Sequence, residues 1–131
     1  MKNLRKQLEE RLTSVEVAYA EVGESKIDFS IFPEGKREYK EAQYDAEILV
    51  EAARKIEREN GSGEIDWDNY NQKKWIPWFR MSPSPFAFYC SVFAYSCAHA
   101  GSGSRLRVLS RETADFLGDK FPETWERLQL K

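Results

Sequence analysis

Between Asn69 and Arg111 the sequence has no aspartate or glutamate over 43 residues. Nothing local can neutralise Lys73, Lys74, Arg80, Arg105, Arg107 and Arg111 in that window. Cysteine is scarce too. Cys90 and Cys97 stand seven apart in one extended segment, so they face opposite ways and do not readily pair. Both read as reduced, small apolar side chains, which suits a reducing compartment. Histidine occurs once, as His99. Zinc needs three or four ligands at close, recurrent spacing, and His99 with two cysteines on different faces falls short of that. Cys97 and His99 lack an orienting partner and an oxyanion hole for nucleophilic catalysis. No run of 18 apolar residues offers a membrane span. Met1 to Glu10 lacks the apolar core of a signal peptide, so a cytoplasmic setting is expected.

Motifs for phosphate or calcium are equally thin. Gly101-Ser102-Gly103-Ser104 could cradle a phosphate, but it lacks the Lys-Ser/Thr ending and strand-to-helix setting of a P-loop. It also suits a plain hairpin turn. Glu64, Asp66 and Asp68 alternate without the ligand count or glycine of a calcium loop. No cofactor is implied, and the expected protein is not an enzyme.

What is present is charge asymmetry and aromatic mass. Residues 1–70 carry 11 Lys/Arg against 17 Asp/Glu, whereas residues 71–131 carry nine against five. The acid-free window also holds nine of the 18 aromatic residues. The two halves either screen each other or present a basic aromatic surface to an anionic partner.

The periodicities predict one α+β domain over residues 1–131. Leu4, Leu8 and Leu12 mark an amphipathic helix. Thr13 and Ser14 could stop it, with Val15, Val17 and Tyr19 alternating like a strand. Ala18, Ala20 and Glu21 favour a helix over about residues 2–21, with Gly23 as its cap. Ile27, Phe29 and Ile31 alternate as a short strand or packed linker. From Lys36 to Asn60 an apolar stripe at spacings of three and four predicts the strongest helix. Three strands of an antiparallel meander are expected at 73–81, 86–98 and around Arg105–Val108, with Pro77 at an edge or bulge. Ser110 caps a C-terminal helix that packs on one sheet face, and Pro122 bends it or starts another.

Two segments carry a resemblance. Asp66-Trp67-Asp68-Asn69-Tyr70-Asn71-Gln72-Lys73-Lys74-Trp75-Ile76-Pro77-Trp78-Phe79 leads into the first strand. Gly103-Ser104-Arg105-Leu106 opens the second segment, which runs to Phe121. Together they resemble a family of small proteins encoded by phages and prophages of gut bacteria, over residues 66–121. The resemblance implies a mobile-element origin and a host-cytoplasmic setting, with no mechanism attached.

Strand alternation could gather Lys74, Trp78, Arg80, Tyr89, Tyr95, His99, Arg105 and Arg107 on one face. Aromatic rings stack on bases and Lys or Arg hold phosphates, so nucleic acid or a nucleotide-like ligand is the leading expected partner. Trp and Arg anchors equally suit a host protein, as an adaptor or inhibitor would need. Alternatively, Trp75, Trp78, Phe79 and Phe93 are core and the arginines blunt a strand edge. The Asn69–Gln72 amides either read a base edge or cap local backbone.

Overall fold

The computed structural model describes residues 3–69, 71–80, 87–94 and 106–130, without the side chains of Arg80, Ala87, Val92 and Ala94. The chain runs α1 (Leu4–Arg11), α2 (Val15–Val22), a 3-10 turn (Phe29–Ile31), α3 (Glu34–Glu59), β1 (Lys74–Arg80), β2 (Ala87–Ala94), α4 (Arg111–Lys120) and α5 (Pro122–Leu130). It is an α+β fold. No helix among the described residues is long and apolar enough to cross a membrane.

The single N-terminal helix expected from the leucine spacing is two. Asn3 caps α1, and Leu12 ends it by donating its amide to the Leu8 carbonyl. Ser14 then accepts the Val17 amide and starts α2. A local side-chain cap outcompetes continuation there, because it satisfies an otherwise orphaned helix-end donor. Gly23 closes α2 with φ 75°, a left-handed conformation that glycine adopts without steric cost. The alternating Ile27–Ile31 segment forms the 3-10 turn instead of a strand, capped by Asp28 on the Ser30 amide.

Helix α3 is the spine. Over its 26 residues the apolar stripe buries Ala42, Ala46, Leu49, Val50, Ala53 and Ile56. Leu8 and Leu12, Ala18 and Tyr19, and Phe116, Leu117 and Trp125 join the same cluster. Polar bonds are sealed into this packing. Asp45 on α3 accepts the Tyr19 hydroxyl at 2.6 Å and Arg127 Nη2 at 3.0 Å, joining α2, α3 and α5. Burial, then the bond to Asp45, pushes the Tyr19 phenol well above its ordinary range.

Strands β1 and β2 pair antiparallel, with Trp75 opposite Phe93, Pro77 opposite Ser91 and Trp78 opposite Cys90. Of the expected third strand, the described residues contain one bridge. Val108 exchanges both backbone bonds with Trp75, at 2.7 and 2.8 Å, on the other edge of β1. That bridge explains Pro77. Alternate residues of a strand turn their amides the same way, so the amide missing at Pro77 would have pointed away from β2.

Ser91 donates to Asp115 at 2.5 Å, and Phe79 stacks on Trp125 at 5.9 Å, so one face of the ribbon lies on α4 and α5. Gly118 permits the closest approach: a Cβ there would stand 2.3 Å from Phe88 Cδ1. Gly118→Ala is therefore expected to lower stability by about 1–3 kcal/mol in urea unfolding, although alanine is the better helix former. A variant as stable as the parent would show that the Phe88 ring yields freely.

Candidate binding surface

Folding splits the described strand residues of the acid-free window between two faces of the ribbon. Trp75, Pro77 and Phe79 share the face toward α4, and Ile76 and Trp78 lie opposite. A bulge between Trp78 and Phe79 shifts the phase of β2. Phe88 therefore comes opposite Phe79 and meets α4, breaking the simple alternation, while Tyr89 stands 63% exposed.

Lys74 is not a surface contact, contrary to expectation. It is fully buried, its Nζ 3.2 Å from the Gln72 carbonyl and 5.5 Å from the Trp67 ring. The loop before it closes over the ammonium through bonds of its own. The Gln72 amide group spans the Asp66 amide at 2.8 Å and the Glu64 carbonyl at 3.0 Å. Asp66 accepts the Asp68 amide, and Asn69 accepts the Asn71 amide. Local capping is thus the role of Asn69 and Gln72, and Lys74 satisfies the carbonyls that the turn leaves inward.

Arg107 is also largely structural. Its Nη1 donates to the Lys74 carbonyl at 3.0 Å, and its own carbonyl accepts Arg54 Nε at 2.7 Å. Burial pulls its guanidinium below the ordinary arginine value. The neighbouring Leu109 and Ser110 amides converge on the buried Glu57 carboxylate at 2.8–3.1 Å. Trp78, by contrast, is 57% exposed beside a groove of about 260 Å³ lined by Ile76, Pro77, Phe79 and Gln129. Arg80 ends β1, and its side chain lies outside the description, as do Tyr95, Cys97, His99 and Arg105.

The cations and rings that do meet are ones the sequence pattern did not single out. Lys73 Nζ lies 4.7 Å from the Phe93 ring centroid. Phe93 is 4.9 Å from Trp75 at a 54° tilt, and the Arg111 guanidinium lies 6.0 Å from Trp75. The order is cation, ring, ring, cation. Cross-strand pairing creates it, because Trp75 and Phe93 are direct partners in the register. The array stays accessible because α4 begins only at Arg111: Phe93 is 40% exposed, and the Arg111 side chain 65%. Among the described residues one carboxylate is paired with it. Asp115 lies 3.9 Å from Arg111, with its other oxygen taken by Ser91. The only sequence signal for this array was the joint presence of Lys73, Trp75, Phe93 and Arg111 in the acid-free window.

Among the described residues no group of three His, Cys, Asp or Glu side chains is placed to hold a metal ion. Cys90 is a half-buried free thiol. Comparison with known proteins finds no matching family model, no similar curated protein and no similar solved structure. The likeness to phage-encoded proteins therefore rests on the two sequence motifs alone.

Proposed function

We propose that the protein is a non-enzymatic binding protein that takes single-stranded nucleic acid on the Lys73–Phe93–Trp75–Arg111 array. The observation carrying this reading is the pairing of two partly accessible rings with a cation at each end. Bases stack on aromatic rings without much sequence preference, and Lys and Arg hold the phosphates. Lys73 and Arg111 supply the charge that Lys74 and Arg107, committed to the fold, do not. The resemblance to phage and prophage proteins supports a host-cytoplasmic setting, where single strands are available.

Fluorescence anisotropy of a labelled oligonucleotide tests it. Binding is expected to weaken with salt with a log–log slope of about −1.4, from two cations on a single strand. Phe93→Ala should weaken it by about 1–3 kcal/mol. Lys73→Gln with Arg111→Gln should flatten the salt slope. No binding at low salt, or binding indifferent to these changes, overturns the proposal.

A second reading has its own support. Trp78 and Tyr89 are exposed, and among the described residues no charged side chain lines the groove beside Trp78, which suits a protein partner. A complex lost in Trp78→Ala but kept in Phe93→Ala would favour it.

A further inference from the structure

We propose that the protein forms a two-fold homodimer through the N-terminal half of α3 and the 3-10 turn before it. A groove of about 310 Å³ lies there, with Ile27, Phe29 and Phe32 on one side and Lys40, Gln43, Tyr44 and Glu47 on the other. Phe29 and Tyr44 meet edge to face at 6.0 Å within it. Ile31, in the turn between the two lining phenylalanines, is 78% exposed, and Ile27 is 50% exposed. A lone exposed aliphatic needs no explanation, but two beside a groove with an aromatic wall mark a contact surface. The turn that presents them is anchored. Arg37 donates to the Phe32 carbonyl at 2.8 Å and to the Ser30 carbonyl at 3.1 Å.

The charge pattern selects a second copy as the occupant. Positions 40, 43, 44 and 47 form one stripe of α3, symmetric about the midpoint between Gln43 and Tyr44. When two α3 helices cross antiparallel about that midpoint, Lys40 of each copy faces Glu47 of the other, and Gln43 faces Tyr44. A two-fold contact must be self-complementary in this way, because the same patch serves on both sides. Neither Lys40 nor Glu47 has an ion-pair partner among the described residues, and Lys40 Nζ lies over the Phe32 and Tyr39 rings at 5.5 and 5.9 Å. Ile27 and Ile31, exposed beside the same stripe, lose solvent when a second copy covers it.

Sedimentation equilibrium over a broad concentration range tests the dimer, with circular dichroism to verify folding. The parent chain is expected to dimerise, and Ile31→Asp to remain folded and monomeric. Lys40→Glu and Glu47→Lys each place two like-charged contacts at the interface and should weaken it about tenfold. Mixing these two variants should restore association, because every contact in the mixed dimer then pairs opposite charges. A parent chain monomeric at every concentration overturns the proposal. So does a mixture no tighter than either variant alone.

Discussion

Asp45→Ala is expected to lower the unfolding free energy by about 3–5 kcal/mol. Asp45 is almost fully buried and takes the Tyr19 hydroxyl and Arg127 Nη2, with Lys26 Nζ at 3.8 Å. Arg127 also reaches Glu41 at 2.8 Å, so it keeps one partner when Asp45 goes. Tyr19 does not keep its acceptor. Its hydroxyl is left in a site that holds it by burial, and the desolvation cost stays without return. Denaturant unfolding of Asp45→Ala, Tyr19→Phe and the double variant would measure the coupling. A double variant no more stable than the sum of the single losses predicts would contradict a direct Tyr19–Asp45 contribution.

Glu57→Ala is the second large effect, about 2–4 kcal/mol. Its carboxylate is the acceptor for the Leu109 and Ser110 amides, and alanine leaves both without it. Those amides lie between the Val108 bridge and the first turn of α4, so the loss should spread to both. Burial, which outweighs the backbone bonds, raises the carboxyl above its ordinary value of 4.5. The folded chain therefore keeps this proton to higher pH than the unfolded chain. The linked stabilisation is complete below about 4.5 and is lost as pH rises through the folded value. Stability of the parent relative to Glu57→Gln should accordingly fall with increasing pH across that window. A difference that instead rises with pH would mean the amides dominate and the carboxyl is held charged.

The helices were legible where periodicity and capping residues agreed. The stripe from Tyr39 to Ile56 gave α3, and Ser110 gave the start of α4, because each is a local signal. Leu4 to Val22 misled, since Ala18, Ala20 and Glu21 suit a continuing helix as well as a new one, and Ser14 makes the break by capping. The binding surface was legible only in composition. Alternation along β1 placed Trp75, Pro77 and Phe79 together, but the bulge that turns Tyr89 outward has no local signature. Nor could alternation show that a loop of Asn, Asp and Gln would fold over Lys74. Burial of a lysine depends on where its carbonyl acceptors end up, which is a tertiary property. The ring pair with its two cations likewise follows from the register between strands, and register is invisible in one strand alone.

The most direct test of binding at Phe93 and Trp75 is the set of four indole N–H resonances during titration with a single-stranded oligonucleotide at low salt. Trp75 is expected to shift in proportion to the bound fraction, and Trp125, buried with its indole bonded to the Leu117 carbonyl, to stay in place. An unmoved Trp75 signal at saturating oligonucleotide would contradict the account.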